Sequence, residues 1–380
     1  MPTRAPYYTD RHEALRAAVI DFAAREIAPH AHEWDEAEDF PRDLYVKAAE
    51  AGVLGAGFPE EYGGRGGDIF DKIIVKEELA RVGSGGVRAS LLSHGIGLPP
   101  ILALASAAMK ERVAPAVLSG DKISCLAITE PAGGSDVANL GTTARRDGAD
   151  YVVDGEKTLI TSGFRADYYT VAVRTGGAGK DGLSLLLIER GAPGFSQTRL
   201  KKMGWWASDT ATLNFDNCRV PAENLIGEEN MGFMGIVHNF NEERLGNTAI
   251  MLGAAKACLE ETIRHAQTRE VFGKVLMANQ VVRHKIVDMA MRVEATESRL
   301  DTVAWQFSRG EQPVAEIAML KNLAAATYEH CAAEAVQLHG GAGIVRGSRA
   351  ERLFRESKIL SIGGGATEIM KDLAARQMDL

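Results

Sequence analysis

Apolar residues in the first third of the chain recur at the spacing of amphipathic helices. Val19 and Phe22 share one face of a helix that is predicted to begin at Thr9 or Asp10 and to end before Pro29. The stretch 59–67 has four glycines and is predicted to be a loop. Further helices are predicted at 41–52, 68–82, 87–107 and 109–118. Residues 1–121 are therefore predicted to form a helical N-terminal domain.

After residue 121 the pattern changes to short runs rich in Val, Ile, Thr and Tyr between glycine turns. The pairs Asp147-Gly148 and Asp154-Gly155 each predict a tight hairpin, and the polar stretch 176–182 predicts an exposed hairpin tip. The predicted strands are 123–129, 142–146, 149–153, 157–161, 168–174, 183–189, 197–201 and 212–215. We expect residues 122–226 to form an antiparallel β-sandwich or barrel.

From residue 227 onward the helical pattern returns, with longer helices. The predicted ranges are 236–264, 280–309 and 314–338, and a final helix begins at Thr367. Gly310 and Gly340 are placed to end two of these helices. Together the four helices predict an antiparallel four-helix bundle in the domain 227–380. The predicted fold class is α+β, with a helical domain, a β domain and a four-helix bundle in that order.

The composition of the chain excludes several classes of function. The 380 residues carry a formal net charge of −8, which argues against a general nucleic-acid binder because neutralising phosphates requires a basic surface. The four cysteines are far apart and form no C-x-x-C pair, so neither a metal site nor a disulfide framework is expected. The N-terminus lacks the apolar segment of a signal peptide, and no apolar run is long enough to span a bilayer. We therefore expect a cytoplasmic protein that binds no membrane.

The loop 131–135 is a candidate ligand site. Gly133 and Gly134 remove side chains that would hold a ligand away, so backbone N–H groups and the hydroxyls of Thr129 and Ser135 can reach a flat or anionic group. When the loop is considered alone, an ordinary turn at the edge of a sheet is the favoured explanation of the same residues. The rest of the chain decides between these interpretations.

Five segments resemble motifs of the acyl-CoA dehydrogenase family. They are CLAITEPAGGSD at 125–136, DGEKTLITSG at 154–163, TREVFGK at 268–274, QLHGGAG at 337–343 and IGGGATEIM at 362–370. The segments occur in the family's order and cover most of the chain. The predicted order of helices, strands and helices agrees with the family's fold.

The resemblance implies that FAD lies against the β domain and the C-terminal bundle. The implied contacts from the β domain are Leu126, Ile128, Thr129, Gly134, Ser135, Leu159 and Thr161. A neighbouring subunit is implied to supply Arg269, Phe272, Gln280, Gln337 and Gly341, and the remaining cofactor positions are Gly340, Thr367 and Glu368. The forked guanidinium of Arg269 suits a pyrophosphate. A shared cofactor implies an oligomer, which in this family is usually a homotetramer.

Some positions depart from the family pattern or allow two roles. Leu159 stands where an aromatic residue is common beside the flavin, and Ala366 replaces a common threonine. Glu368 suits a ribose hydroxyl of FAD, but also the first turn of a helix, where the macrodipole favours a carboxylate. Trp205 and Trp206 fall in a segment that the family uses near the flavin and the acyl-CoA, so packing and function both remain open for them.

The implied reaction is α,β-dehydrogenation of an acyl-CoA thioester to a trans-2-enoyl-CoA, with electrons passed to an electron-transferring flavoprotein. A carboxylate with a raised pKa must remove the weakly acidic α proton. Many family members carry it at the position of Gly364, which has no side chain, whereas the isovaleryl and long-chain branch carries it in a pair matching Glu243-Arg244. Glu243 is therefore the predicted base. Ser135, Asn241, Arg244 and the Gly364 N–H are the predicted substrate contacts.

Other functions and the acyl group itself remain open. One alternative is a flavin oxidase or a reduced-flavin monooxygenase on the same fold, and another is a non-catalytic binding protein that has lost the chemistry. The second alternative is favoured if Glu243 points into solvent. Candidate walls of the acyl pocket are Arg88, Leu92 and Ile96, which do not define chain length or branching. Among them, Arg88 is an unusual neighbour for a plain alkyl chain.

Overall fold

The computed structural model describes residues 6–238 and 240–380. Its first part is helical, as predicted. The helices are α1 Asp10–Phe22, α2 Ala31–Ala37, α3 Asp43–Glu50, α4 Ile69–Arg81, α5 Gly85–Leu91, α6 His94–Gly97, α7 Pro99–Leu104 and α8 Ala107–Leu118. The loop predicted at 59–67 contains one 3₁₀ turn, Glu60–Tyr62.

Two helix ends in this part differ from the prediction. Pro29 does not end the first helical segment, because it occupies the first turn of a 3₁₀ helix, where a missing N–H costs no hydrogen bond. A π turn at Ala23–Ile27 and this 3₁₀ turn carry the chain from α1 into α2. The single helix predicted at 87–107 is instead three short helices, the last of which begins at Pro99.

A mixed sheet forms the middle of the chain. Its strands are β1 Ser124–Ala127, β2 Thr143–Asp147, β3 Asp150–Ile160, β4 Tyr168–Arg174, β5 Leu183–Glu189, β6 Phe195–Arg199, β7 Ala211–Pro221 and β8 Leu225–Ile226. The order is β6-β7-β3-β2-β4-β5-β8, and β1 lies beside β4. Most neighbours are antiparallel as predicted, but β1 and β2 each pair with β4 in parallel. The sheet packs with helices of the N-terminal part on both sides.

The second Asp-Gly pair is not a hairpin, in contrast to the prediction. Asp154 and Gly155 lie inside the long strand β3, where a bulge shifts the register against β7. Gly155 has φ 141°, and a Cβ atom there would lie 2.7 Å from the Cα of Thr142. The Asp154 carboxylate accepts a hydrogen bond from the Asn217 N–H at 2.8 Å. The glycine therefore allows a β-bulge within the strand and does not form a hairpin turn.

The C-terminal part contains the predicted long helices. Its elements are α9 Gly232–His238, α10 Phe240–Thr268, β9 Glu270–Val271, β10 Lys274–Val275, α11 Gln280–Ser308, α12 Val314–His339, α13 Arg349–Glu356, α14 Ile359–Ile362 and α15 Thr367–Gln377. Helix α10 is central, because it packs against α11, α12 and α4. In the described residues no single helix is long and apolar enough to cross a membrane. The helices Gly85–Leu91 and His94–Leu104, which form a bent pair, are together long and apolar enough by length and composition only.

Two glycines allow α10 to approach α4 closely. A Cβ atom at Gly246 would lie 2.1 Å from the Lys76 Nζ, and one at Gly253 would lie 2.2 Å from the Glu77 carbonyl oxygen. The first obstacle is the end of a flexible side chain, whereas the second is rigid backbone. This contact joins the N-terminal helices to the C-terminal bundle.

We expect Gly253→Ala to lower the free energy of unfolding by about 1–2 kcal/mol. The new methyl group meets a main-chain oxygen that no rotamer change can move, and this overpacking outweighs the gain in helix propensity. Urea-induced unfolding monitored by circular dichroism measures the difference. Gly177→Ala is the control, because a Cβ atom at that position meets no atom within 4 Å. A Gly253→Ala protein as stable as the wild type would contradict the close helix contact.

Candidate active site

Glu243 and Gly364 come together although they are far apart in sequence. Glu243 lies partly buried in the first turn of α10, and Gly364 lies in the loop between α14 and α15. A Cβ atom at Gly364 would lie 3.5 Å from the Glu243 Oε1 and 2.3 Å from the Asn247 Nδ2. The carboxylate of Glu243 thus lies beside the loop position that has no side chain.

The surroundings of Glu243 keep its carboxyl group weakly acidic. Burial raises the pKa of Glu243, and it outweighs the positive charges of Lys76 and Arg244 and a hydrogen bond with Asn247, which act in the opposite direction. In the described part of the chain, no ion pair shorter than 4 Å involves this carboxylate. A raised pKa suits a base that removes a weakly acidic proton.

Its neighbour Glu242 has a different environment. The Lys72 Nζ lies 2.6 Å from the Glu242 Oε1 and donates a hydrogen bond to it. The two adjacent carboxylates are therefore distinguished by structure, since one is paired and the other is not. Glu242 is a structural ion-pair partner.

Helix α12 holds the glycine loop in place. Lys321 is fully buried and donates a hydrogen bond from its Nζ to the Gly365 carbonyl. Burial lowers the pKa of Lys321 to about 8. One residue further on, the Asn322 Nδ2 donates to the Thr367 carbonyl at 3.0 Å. The sequence analysis missed both residues, because only the fold shows that α12 runs beneath this loop.

The other predicted substrate contacts lie around the same turn of α10. The Arg244 guanidinium carbon lies 5.1 Å from the centre of the Phe240 ring, and its buried Nε has no hydrogen-bond partner in the described residues. The Asn241 Nδ2 lies 3.4 Å from the Gln312 Oε1. Ser135 is exposed in the β domain. Their roles toward a substrate stay predictions.

The β-domain residues predicted for FAD form one partly open surface. Leu126, Ile128 and Thr129 are half-buried, whereas Gly134 and Ser135 are exposed. The Thr158 N–H donates to the Thr129 carbonyl at 2.8 Å and joins the loop to β3. A Cβ atom at Gly134 would lie 3.2 Å from the Thr129 Cγ2, so only glycine leaves this surface flat.

Leu159 and Thr161 lie at the end of β3 beside this loop. Leu159 has φ 59° and a 62% exposed side chain, which is unusual for a large apolar residue next to a sheet. Thr161 is half-buried. An exposed leucine beside a flat glycine surface suits the apolar face of a flavin ring, so these residues fit the cofactor that the family pattern implies.

A buried ion pair supports this surface from below. Lys157 is 0% exposed, and its Nζ lies 2.7 Å from the Glu130 Oε1 and 3.1 Å from the Ile128 carbonyl. Glu130 also accepts hydrogen bonds from the N–H groups of Gly141 and Thr142. The sequence analysis quoted both residues within motifs but did not pair them. For Lys157, its place next to the exposed Glu156 on β3 was the available signal.

The second group of predicted FAD residues is exposed at the end of the bundle. Arg269 directly precedes β9, and Phe272 lies in the β9–β10 turn, fully exposed with φ 50°. Gln280 begins α11, while Gln337, Gly340 and Gly341 lie at the end of α12, all exposed. No hydrogen bond or ion pair within 6–238 and 240–380 connects this group to the β-domain surface.

Thr367 and Glu368 begin α15, directly after the glycine loop. The Thr367 hydroxyl donates to the Ser361 carbonyl at 3.3 Å. Glu368 is exposed in the first helical turn, so the structure is compatible with both of its predicted roles. The neighbouring Ala366 has no side-chain cap contact with this helix.

The two tryptophans have packing contacts with arginines. The Arg88 guanidinium carbon lies 4.8 Å from the centre of the Trp205 ring, and Trp206 lies between Arg346 at 4.3 Å and Arg355 at 3.6 Å. A Cβ atom at Gly85 would lie 2.5 Å from both the Trp205 Nε1 and the Glu356 Oε2. Both tryptophans therefore pack, and Trp205 also covers a buried cluster of charges.

Glu356 in this cluster makes stability depend on pH. Burial raises the pKa of Glu356 to about 7, with Asp35 adding to the effect and Arg352, Arg355 and Arg88 opposing it. Because the folded pKa lies above the unfolded value, the contribution of Glu356 is fully present below about pH 4.3 and is lost as the pH rises through about 7. Its Oε1 has no hydrogen-bond partner in the described residues.

Glu356→Gln should therefore stabilise the protein at high pH and not at low pH. The amide oxygen keeps the hydrogen bond from the Gly85 N–H, while the buried charge is removed. We expect the advantage over the wild type to grow by about 2–3 kcal/mol between pH 5 and pH 8. Urea unfolding of both proteins at the two pH values measures it. An advantage that does not change with pH would contradict the raised pKa.

Three protein-family domains match the chain in the order of its structure. The acyl-CoA dehydrogenase N-terminal domain matches residues 9–121, the middle domain 125–218 and the C-terminal domain 230–378. The chain belongs to the acyl-CoA dehydrogenase family. The predicted family and fold class are thereby confirmed.

Known relatives and solved structures resemble the whole chain. An acyl-CoA dehydrogenase of Bacillus subtilis is 36% identical over 98% of this chain and 99% of its own length. The mitochondrial long-chain specific acyl-CoA dehydrogenase of Sus scrofa is 34% identical over 98% of this chain and 87% of its own. The crystal structure of a probable acyl-CoA dehydrogenase from Mycobacterium abscessus has a TM-score of 0.96 and 46% identity, covering 98% of this chain and 100% of that one.

A further solved structure bears on the cofactor. A glutaryl-CoA dehydrogenase from Mycobacterium smegmatis in complex with FADH2 has a TM-score of 0.92 and 28% identity, covering 99% of this chain and 96% of that one. A flavin is the cofactor of this family, in agreement with the exposed apolar surface at Leu159.

Proposed function

We propose that the protein is an FAD-dependent acyl-CoA dehydrogenase that converts an acyl-CoA thioester to a trans-2-enoyl-CoA, with Glu243 as the base. The observation that carries this proposal is the position of the Glu243 carboxylate, 3.5 Å from where a side chain of Gly364 would begin. Two segments more than a hundred residues apart therefore bring one carboxylate beside a loop position that has no side chain.

The chain's own residues supply proton transfer and charge stabilisation. Glu243 takes the proton from the α carbon, and the Gly364 N–H donates to the thioester oxygen as negative charge develops there. Arg244 and Asn241 flank the acyl-CoA, and Ser135 lies on the β-domain side. When bound, FAD accepts the hydride from the β carbon. Leu126, Ile128, Thr129, Gly134, Leu159 and Thr161 would hold it.

The rival functions have less support. A reduced-flavin monooxygenase needs no base for an α proton, yet Glu243 is held at the glycine loop with a raised pKa. A Glu243 side chain in solvent would favour a non-catalytic protein, whereas this side chain is partly buried. An oxidase would use the same base, so the electron acceptor has to be tested directly.

The partners proposed for this function follow the family pattern. Arg269, Phe272, Gln280, Gln337, Gly340 and Gly341 would contact the FAD of a neighbouring subunit, with Thr367 and Glu368 nearby, in a homotetramer. The full exposure of Phe272 at a hairpin tip supports a role in contacting another chain. We propose a cytoplasmic location and an electron-transferring flavoprotein as the electron acceptor. Residues 1–121, 122–226 and 227–380 are the proposed domains.

Anaerobic titration of the purified yellow protein with acyl-CoA thioesters tests the function. We expect at least one thioester to bleach the visible absorption of the flavin. Addition of an electron-transferring flavoprotein should restore the absorption faster than air does, whereas an oxidase would respond to air. A protein that binds FAD but is bleached by no thioester would contradict the proposal.

A further inference from the structure

Asn247 and Gly364 fit closely against each other beside the base. Asn247 lies on α10 one helical turn after Glu243, so the two side chains leave the helix on the same face. A Cβ atom at Gly364 would lie 2.3 Å from the Asn247 Nδ2 and 3.6 Å from its Cγ. The first distance is shorter than any van der Waals contact. The amide group of Asn247 therefore fills the space in which a side chain at position 364 would begin.

The same amide group contacts the carboxylate of Glu243. The Glu243 Oε1 lies 3.5 Å from the Cβ position of Gly364, and the Asn247 side chain is hydrogen-bonded to Glu243. An ionised carboxylate only accepts hydrogen bonds, so the NH2 group of Asn247 is the donor. Asn247 is buried in the described structure. A buried donor thus lies against both the base and the loop position that has no side chain.

No ion pair restrains the Glu243 carboxylate directly. Among residues 6–238 and 240–380, none within 4 Å involves it, whereas the adjacent Glu242 is held by Lys72 at 2.6 Å. A glutamate side chain has several staggered rotamers, and only some of them direct its carboxylate to the glycine loop. A base has to be held in its productive position, because a displacement of about 1 Å can lower the rate roughly 100-fold. Asn247 is placed to select the rotamer that a base requires.

Charged groups act on Glu243 from three helices. Burial has the largest effect and raises the pKa of Glu243. Lys76 on α4, Arg244 on α10 and Lys321 on α12 act in the opposite direction. The negative charge of Glu242 is paired with α4. A cation in direct contact with the base would lower its pKa further and weaken it, whereas an uncharged amide can orient the carboxylate without forming an ion pair.

Helix α12 prevents the glycine loop from moving away from Asn247. The Lys321 Nζ donates a hydrogen bond to the Gly365 carbonyl, and the Asn322 Nδ2 donates to the Thr367 carbonyl at 3.0 Å. The Asn247 amide, by contrast, is the end of a side chain that can rotate. A side chain at position 364 would therefore displace the amide and not the loop.

We propose that Asn247 is a positioning residue that directs the Glu243 carboxylate toward the α proton of the substrate, and that Gly364 lacks a side chain because this amide occupies the space. The inference rests on the proposed dehydrogenase function. In this role Asn247 transfers no proton and touches no reacting atom. It restricts the rotamers of Glu243 and, as a donor to the ionised carboxylate, favours the form that accepts the proton.

The pH dependence of flavin bleaching tests the role of Asn247. We define the midpoint pH as the pH at which the bleaching rate is half of its value at high pH. Asn247→Ala removes the donor, so the midpoint pH should rise by about 0.5–1. The rate at high pH should fall roughly 10- to 100-fold, because the carboxylate is less well placed. Anaerobic stopped-flow measurements give both quantities, and wild-type values for both would overturn the positioning role.

Asn247→Leu separates hydrogen bonding from the filling of space. Leucine has nearly the shape of asparagine but no N–H group, so the midpoint pH should rise as it does in Asn247→Ala. A midpoint pH equal to that of the wild type would show that the side chain only fills space. That result would overturn the positioning role.

Gly364→Ala tests whether the loop position acts through Asn247. The new methyl group displaces the amide, so the midpoint pH should rise as it does in Asn247→Ala. In the Asn247→Ala background it should not rise further, because the nearest remaining atom, the Glu243 Oε1, lies 3.5 Å away. The strain of an alanine at φ 68° is the same in both backgrounds and cancels in the comparison.

Gly363→Ala is the matched control on the same loop. A Cβ atom at Gly363 would meet no atom closer than 3.4 Å, so its midpoint pH should equal that of the wild type. Additive shifts from Asn247→Ala and Gly364→Ala would contradict the coupling between the two positions. An equal shift in Gly363→Ala would contradict it as well.

Infrared difference spectroscopy titrates the carboxyl group of Glu243 without turnover. The difference between each FAD-loaded protein and the same protein with Glu243→Gln isolates the carboxylic acid band of this residue. Asn247→Ala and Asn247→Leu should each move its titration to higher pH. An unchanged titration in both variants would overturn the proposed contact.

These outcomes separate the inference from the function on which it rests. Bleaching of the wild type that Glu243→Gln slows, with a midpoint pH that neither Asn247 substitution changes, would overturn the positioning role and leave the dehydrogenase intact. Bleaching by no thioester would overturn the dehydrogenase and the role of Asn247 in it. Bleaching with a midpoint pH raised in both Asn247 variants would support both.

Discussion

Replacing Glu243 by glutamine lowers kcat by about 10²- to 10⁴-fold, if this carboxylate is the base that removes the α proton. The amide keeps the shape of the side chain and its contact with Asn247, but it cannot accept the proton. FAD content and thioester binding should stay close to those of the wild type. The rate of flavin bleaching in an anaerobic stopped-flow experiment measures the loss directly.

Glu242→Gln is the matched control for this experiment. It removes the same charge from the adjacent residue, but Glu242 forms an ion pair with Lys72 and is not the predicted base. We expect its rate to stay within tenfold of the wild type. A Glu243→Gln protein with more than a tenth of the wild-type rate, or a larger loss in the control, would contradict the assignment.

The pH dependence of bleaching follows from the same residue. Only the ionised carboxylate accepts a proton, so the rate falls as the pH drops below the pKa of Glu243. Burial raises this pKa. The bleaching rate should therefore begin to fall at a pH above about 4.3, the pKa of an ordinary glutamate. Lys76→Met removes a positive charge that lowers the pKa of Glu243. In this variant the bleaching rate should begin to fall at a still higher pH.

Replacing Lys157 by methionine should lower the free energy of unfolding by about 3–5 kcal/mol, the second large effect that we expect. The substitution leaves the Glu130 carboxylate buried without its cation, and only the N–H groups of Gly141 and Thr142 remain as donors. The loop that carries Thr129 and Gly134 would lose one of its attachments to β3, while the bond from the Thr158 N–H to the Thr129 carbonyl would remain. Thermal unfolding and the fraction of FAD retained after gel filtration measure the two consequences.

A surface ion pair of almost equal length is the control. The Lys201 Nζ lies 2.6 Å from the Glu38 Oε2, compared with 2.7 Å for Lys157 and Glu130, but Lys201 is exposed. Lys201→Met should cost less than about 1 kcal/mol, because water and mobility weaken an exposed pair. If both substitutions destabilise the protein equally, burial is not the source of the effect.

Much of the fold could be predicted from the sequence because its periodicities are local. The strands at β4 and β5 and the long helices α11 and α12 lie where their patterns indicated. The prediction failed where a neighbouring strand, and not the local sequence, determines the backbone conformation. The Asp154-Gly155 pair has the composition of a turn, but the partner strand β7 makes it a bulge.

Only those residues of the candidate site that belong to a sequence motif could be predicted. The Glu243-Arg244 pair and Gly364 could be connected because each belongs to a recognisable pattern. Two of the cations that act on Glu243 could not, since Lys76 and Lys321 are brought to it by helices from different parts of the chain. No local signal indicates that α12 passes beneath the glycine loop or that α4 approaches α10 at Gly246.

The contact between Lys76 and Gly246 also constrains how this chain can have evolved. The lysine ammonium group occupies the space beside Gly246 that a Cβ atom would take, so a larger residue at 246 would push it away from α10. Among relatives, lysine at position 76 should therefore occur together with a small residue at position 246.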